Sequence, residues 1–213
     1  MEFYRKYGKR MMDVVLASVA LLLLGPVMGA IAFVVRIKLG SPVLFAQLRP
    51  GKDGRPFRLF KFRTMTAACD HTGQFLSDAE RLTPFGKWLR STSLDELPEL
   101  WNILRGDMSL VGPRPLLMEY LPHYTAEQTR RHDVRPGLTG WAQVQARNAT
   151  TWAERFQQDG WYVEKMSLRL DIHILWRTVL AVVTRHGISA PDHATMPRFD
   201  EALAVEETHA HAA

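Results

Sequence analysis

The chain has a single cysteine, Cys69, among its 213 residues. That excludes an intrachain disulfide framework and a multi-cysteine zinc site, and it suits a reducing compartment. Eight histidines are present, but no HExxH and no other ligand-spaced pair occurs, so a histidine-held metal has no support. Neither GxxxxGK[ST] nor GxGxxG is found, which removes the two common glycine loops that cradle nucleotide phosphates. No RNP-like motif or other nucleic-acid module occurs, and no internal repeat divides the chain.

What is present favours an anionic partner. Lys and Arg outnumber Asp and Glu by 27 to 22 and the pI is about 9.6, a balance that suits nucleic acid, an anionic membrane surface or a phosphorylated substrate. With 46% hydrophobic residues the chain can bury a real core, and its length fits one domain with appendages.

Twenty-two residues, Val14–Val35, carry no charge, which is enough for a helix to cross a hydrocarbon core of about 30 Å. A signal peptide would have a shorter apolar region, and a soluble core helix is rarely apolar all round at this length. Basic residues flank both ends, Arg5, Lys6, Lys9 and Arg10 before it and Arg36, Lys38, Arg49 and Lys52 after it. The positive-inside rule holds both flanks on one side of the membrane. Gly25-Pro26 falls near the middle, where proline removes a backbone hydrogen bond and bends a helix. Each half is about 14–17 Å long, so the pattern predicts a helix that dips in, bends at Pro26 and returns to the same face. A kinked spanning helix is the alternative.

Val43–Gln47 and Phe57–Phe62 read as a strand pair around a Pro50–Pro56 loop. Period-2 alternation in the second strand puts Phe57, Leu59, Lys61 and Arg63 on one side, so two cations enter an apolar face, either to snorkel to the interface or to hold phosphate. Thr64–Ser77 reads as a polar, mobile connection, and Asp78–Arg90 as helix with a break at Pro84. The stretch RSTSLDELPEL, Arg90–Leu100, places Asp95 and Glu96 side by side ahead of an apolar helical spacing. Ser93-x-x-Glu96 fits a capping box, and a helix N-terminus suits either carboxylates or phosphate. A helix closed at Arg105-Gly106-Asp107 follows. Next comes Gly112-Pro113-Arg114-Pro115, in which two prolines stiffen the backbone that presents Arg114. The glycines of Arg135-Pro136-Gly137-Leu138-Thr139-Gly140 read as allowing close approach of a ligand. Leu116–Arg131 and Thr151–Gln158 read as helical. Leu168–Arg185 is long and apolar enough to lie in a membrane interface or to cover the core. The Pro-, Ala-, acid- and His-rich segment from Ala190 reads as an unstructured tail.

Taken in order, the apolar segment with its Gly-Pro, FKFRTM at Phe60–Met65, TSLDELPELWNIL at Thr92–Leu104, GDMSLVGPRP at Gly106–Pro115 and RPGLTGWAQV at Arg135–Val144 resemble the bacterial sugar transferases. More narrowly, they resemble the monotopic phosphoglycosyl transferases, over about residues 8–186. The resemblance implies transfer of a phosphosugar from a UDP-sugar to polyprenyl (undecaprenyl) phosphate at the cytoplasmic face of the bacterial inner membrane. The reaction passes through a phosphosugar–enzyme intermediate, releases UMP and initiates the assembly of glycans such as exopolysaccharide, capsule or O-antigen. It implies Asp95 as nucleophile. Glu96 becomes the acid that holds Mg²⁺ (or Mn²⁺) and helps deprotonate the acceptor, with Asp95 as second metal neighbour. Lys61, Arg90 and Arg114 become phosphate-binding cations, with Arg135 as a further one. Gly25-Pro26 becomes the membrane-helix break, where some relatives carry a small polar residue before the proline.

The expected architecture is therefore α+β and mostly helical. It comprises a basic N-terminus and re-entrant membrane helix at 1–39, a catalytic domain with a small β-hairpin and an interfacial amphipathic helix at 40–189, and a disordered tail at 190–213. The length suggests a minimal, catalytic-domain-only form. The competing reading is a non-catalytic, membrane-attached protein whose basic surface binds anionic lipid or nucleic acid. Of these partners the resemblance keeps UDP-sugar, polyprenyl phosphate and the lipid bilayer, and drops nucleic acid.

Overall fold

The computed structural model describes residues 2–145, 151–184 and 199. A single wide π-type turn, Tyr4–Gly8, leads into helix α1, Lys9–Leu39. Strands β1, Leu44–Pro50, and β2, Pro56–Phe62, form an antiparallel hairpin. Helices α2, Asp78–Arg81, and α3, Pro84–Ser91, are separated at Pro84 as the sequence predicts. Helix α4, Glu99–Arg105, ends at Gly106, whose φ of 89° is left-handed and stops the helix. Strand β3, Ser109–Val111, follows. The region 116–131, expected to be one helix, consists instead of 3₁₀ turns around the four-residue α5, Ala126–Thr129. Then come β4, Gly137–Thr139, α6, Trp141–Gln145, α7, Trp152–Lys165, and α8, Leu168–Thr184.

Helix α1 belongs to the core at both of its ends. Near its start, Arg10 donates to the carbonyls of Ile103 and Leu104. The Asp13 carboxylate accepts from the Ser109 hydroxyl at 3.0 Å and the Leu110 amide at 2.9 Å, and Ala17 joins a cluster of Phe57, Leu59, Leu100, Ile103 and Tyr162. Near its end, Ile31 and Val35 pack with Phe62 and Leu89. Each such apolar side chain contributes about 1.5–3 kcal/mol when fully buried. Arg63 donates to the Leu39 carbonyl and to that of Pro42, so this cation is a link between α1 and the hairpin. Between the two grips, Leu22 and Leu23 are 81% and 70% exposed.

The chain stays helical through Gly25-Pro26. Proline removes the hydrogen bond to the carbonyl four residues earlier without ending the helix, so the helix is not interrupted where the break was expected. A helix whose ends lay in opposite water phases could not have both gripped by one domain, and the protein is monotopic. Labelling with a membrane-impermeant thiol reagent checks this: in oriented vesicles, a cysteine introduced at Glu2 and the native, exposed Cys69 react from the same side. Opposite-side reaction would make α1 a spanning helix.

Helix α8 buries Asp171 and Ile174 and exposes Leu168, Ile172, Trp176, Val179 and Val183. Their i, i+4 and i+3 spacing draws one apolar stripe along its outer side, as an interfacial helix requires. Its inner side is tied to α1 by a buried polar knot: Lys9 Nζ lies 2.7 Å from Asp171, and the hydroxyls of Tyr4 and Tyr162 donate to the same carboxylate. Lys9→Met leaves that buried charge with hydroxyl donors alone and costs about 3 kcal/mol. The loss reads out as a lower unfolding temperature in detergent, and a Lys9→Met/Asp171→Leu pair recovers most of it.

The parallel pairing of β3 with β4 was not foreseen, and it changes the reading of the glycines. A Cβ at Gly112 would lie 2.4 Å from the Arg135 carbonyl oxygen, and one at Gly137 2.1 Å from the Gly112 nitrogen. The glycines let two backbones meet; their close approach is to each other and not to a ligand. The Thr64–Ser77 connection is pinned by isolated bridges, Met65 to Leu82 and Cys69 to Phe75. Most of the predicted 190–213 tail lies outside the described residues. Phe199 is the exception, buried among Tyr120, Tyr124, Trp152 and Phe156.

Candidate active site

The site is assembled around the start of α4. Ser93 follows α3 in the left-handed region, φ 55°, a conformation that costs a non-glycine residue free energy and turns the chain sharply. Asp95 and Glu96 then lie on a 3₁₀ turn, Leu94–Glu96, which reaches α4 through Leu97 and Pro98. The expected capping box is absent. Ser93 caps nothing with its side chain, because its left-handed backbone is not the extended one a capping residue needs. The dyad is thus free of a capping duty.

Three elements bring cations to it. Lys61 comes from β2, which is held against α4 by Asn102: this fully buried amide accepts from the Phe60 N–H at 3.1 Å and donates to the Arg58 carbonyl at 2.7 Å. The result puts Lys61 Nζ 2.5 Å from Glu96 Oε1 and 3.2 Å from Glu99 Oε1. Arg114, on its proline-flanked backbone, donates Nη2 to the same Glu96 oxygen. Arg131 in turn donates to the Arg114 carbonyl at 2.8 Å while paired with the buried Asp159 at 2.8 Å. Arg90, on α3, is oriented by Thr64 Oγ1 at 3.1 Å. Asn102, Glu99, Thr64 and Arg131 were not singled out from sequence. Glu99, one helical turn after Glu96 in the same motif, was the most accessible signal among them.

The three carboxyls sit in different electrostatic environments. Asp95, 7% exposed, is pushed up to about 6 by burial and by the adjacent Glu96 charge, against the pull of Lys61, Arg90 and Arg114. Glu96 is also raised by burial, but Arg114 and Lys61 outweigh that and hold it below the usual carboxylate range. Glu99 is raised, first by burial and then by the Glu96 charge. One carboxylate is therefore fixed as an anion, while a second is buried with its charge poorly compensated. That division suits a nucleophile next to a permanent anion.

Arg135 does not join this group. Its Nε donates to the Gly106 carbonyl at 2.8 Å, at the opposite end of α4. It lines a separate basic cavity with none of Lys61, Arg90, Asp95, Glu96 or Arg114 in its wall. For a metal, the described residues contain no cluster of three or more His, Cys, Asp or Glu side chains. Mg²⁺ does not need one, since it uses one or two carboxylates with substrate phosphates and water. Both cations on Glu96 engage Oε1, and Oε2 has no hydrogen-bond partner among the described residues, so one carboxylate oxygen is left for a hard cation and the donor set fits.

The chain is similar to known sugar transferases. Over 166 residues, 78% of this chain and 82% of the relative, the chain is 55% identical to an uncharacterized sugar transferase, EpsL, of Bacillus subtilis. It is 39% identical over 187 residues to a UDP-N-acetylgalactosamine-undecaprenyl-phosphate N-acetylgalactosaminephosphotransferase of Aeromonas hydrophila. With a UDP-glucose:undecaprenyl-phosphate glucose-1-phosphate transferase of Xanthomonas campestris it shares 42% over 191 residues. Each alignment with these two takes in 84% of this chain but only 44% and 40% of the relative, so the chain spans less than half their length. The family described as bacterial sugar transferase matches residues 4–185, nearly all of the described chain and every element of the site, and the chain belongs to that family.

Proposed function

We propose that the protein transfers a sugar 1-phosphate from a UDP-sugar to polyprenyl phosphate through a covalent intermediate on Asp95. The observation that carries this is the unequal pair: a buried Asp95 with its carboxyl lifted to about 6, beside a Glu96 locked as an anion by Lys61 and Arg114. In the first step an Asp95 oxygen forms a bond to the phosphorus that bears the sugar, and the bond from that phosphorus to the UMP oxygen breaks. In the second step a phosphate oxygen of the polyprenyl carrier forms a bond to the same phosphorus. The bond to Asp95 breaks, the carboxylate is restored and the lipid diphosphate sugar departs. Splitting the transfer in two lets a weak nucleophile suffice, and it makes one site serve a water-soluble donor and a membrane-bound acceptor in turn.

Two anions must approach an anionic carboxylate, so positive charge has to be placed in advance. Lys61, Arg90 and Arg114 supply it from three separate elements. Glu96, with Asp95 as neighbour, would hold Mg²⁺, which supplies Lewis-acid neutralisation of the diphosphate. Held below the usual carboxylate range, Glu96 is a weak base, so its part is charge and metal binding rather than proton removal from the acceptor phosphate. The basic flanks of α1 support a cytoplasmic-face location at the inner membrane. A non-catalytic anion binder would share the basic surface and the membrane helix, but it gives no reason to bury Asp95 with its charge only partly compensated.

The test is a panel of radiolabelled UDP-sugars with undecaprenyl phosphate and the purified protein. Label moves to the organic phase with one or a few sugars and requires divalent metal. Failure to move label from any donor, with binding to anionic vesicles or oligonucleotides that weakens steeply with salt, would favour the binding protein instead.

A further inference from the structure

Away from the dyad, a cavity of about 540 Å³ lies at the root of α1. Seven of its fourteen lining residues are Lys or Arg and three are Asp or Glu. The dyad adjoins the start of α4, whereas the cavity's Arg10 and Arg135 hold the carbonyls at its other end. A seven-residue helix is about 10 Å long, so the two places are distinct.

Helix capping explains part of this. Arg10 and Arg135 close α4, and Arg5 donates to the carbonyls of Val163 and Glu164 at the end of α7, where cations meet the negative dipole end. A carbonyl orients a guanidinium without neutralising it, so three positive charges remain and are fixed around one hollow. Lys9 is balanced by Asp171 and Arg130 by Glu164. Lys6 and Lys52, both exposed, have no carboxylate partner among the described residues. Capping does not account for these two converging on the same hollow.

The rim identifies the source of the anion. Asp13 lines the cavity, and its neighbours Met11 and Val14 belong to the exposed apolar surface of α1. Met166 lines it too, and two residues on Leu168 begins the exposed stripe of α8. The hollow thus lies beside the first turns of two helices that carry exposed apolar faces. We infer that this cavity is a binding site for the phosphate headgroup of an anionic phospholipid, separate from the transfer site and serving to seat α1 and α8 at a fixed depth. Basic pockets beside membrane helices have this chemistry, and the volume falls in the range of small-ligand sites.

The probe is phosphatidylglycerol. Full-length protein is reconstituted in phosphatidylcholine nanodiscs with a minor fraction of phosphatidylglycerol, and lipid retained after release is counted by native mass spectrometry. Phosphatidylglycerol should be retained in preference to phosphatidylcholine. Lys6→Gln/Lys52→Gln should weaken this about thirtyfold, a factor of roughly five per lysine. Lys6→Arg/Lys52→Arg and the distant Lys87→Gln should retain it as the unmodified protein does. Equal retention of both lipids, or undiminished retention in the Gln pair, overturns the site. Displacement of the lipid by millimolar inorganic phosphate overturns the lipid assignment in favour of a soluble anion.

Discussion

Asp95→Asn is expected to abolish transfer and, at neutral pH, to make the protein more stable. The loss follows because an amide oxygen cannot form the acyl phosphate, so the phosphosugar adduct disappears from the intact-protein mass spectrum with the activity. The gain follows from linkage. The carboxyl rises from 3.8 to about 6 in the folded protein, so as pH increases the unfolded chain gives up this proton first. Stability falls between about pH 4 and pH 6 and stays reduced above, by roughly 3 kcal/mol for a shift of this size. Asparagine has no proton to lose and keeps that stability. The measurement compares thermal unfolding of the two proteins in detergent at pH 4.5 and pH 7.5; the variant's advantage should be about threefold larger at the higher pH. Transfer by the unmodified enzyme should rise with pH through about 6, as the carboxylate forms. Full activity in Asp95→Asn would remove Asp95 from the reaction.

Arg114→Met is expected to lower kcat about a thousandfold, the scale of losing one prearranged charge at a phosphoryl-transfer site. Arg114 and Lys61 converge on one oxygen of Glu96. Without Arg114, Lys61 alone opposes burial and Glu96 rises from its low range, so the fixed anion becomes one that titrates. The loss should fall mainly on kcat, with a smaller change in KM, and should deepen as pH is lowered. Arg114→Lys restores the charge but not the planar guanidinium at that reach, so recovery is partial. Single-turnover kinetics with a UDP-sugar, following adduct formation alone, isolates the first step. An unchanged rate there would mean that Arg114 acts only on the lipid phosphate.

Long apolar periodicity made α1, α8 and the hairpin legible in the sequence, and proline marked the start of α3 within two residues. Lys61, Arg90, Asp95, Glu96 and Arg114 were legible as a set because they lie in dense motifs, and the fold brings them together. What was not legible depends on contacts between distant segments. Strands β3 and β4 are three residues each, too short to display an alternation, and their pairing is specified by glycines that read equally well as ligand-facing. Asn102 resembles any helical asparagine until β2 lies against it. Arg131 resembles a surface charge until Asp159 and the Arg114 carbonyl are in place. Ser93 fitted a capping motif, but its backbone sign, which decides whether it can cap, is set by how α3 and α4 must turn. Arg135 sat in a motif with the right chemistry and was placed by α4 at the wrong end of that helix.

Because α1 supplies Ala17, Ile31 and Val35 to the same two clusters that position β2 and α4, the anchor and the enzyme are not separable parts. Removing residues 1–39 would open both clusters and free the Asp13 contacts at β3. A water-soluble version of the catalytic domain therefore cannot be obtained by trimming alone. The same fact orders folding: α1 precedes the domain in the chain, so β2 and the Asp95–Glu96 turn come into register against a helix that is already there.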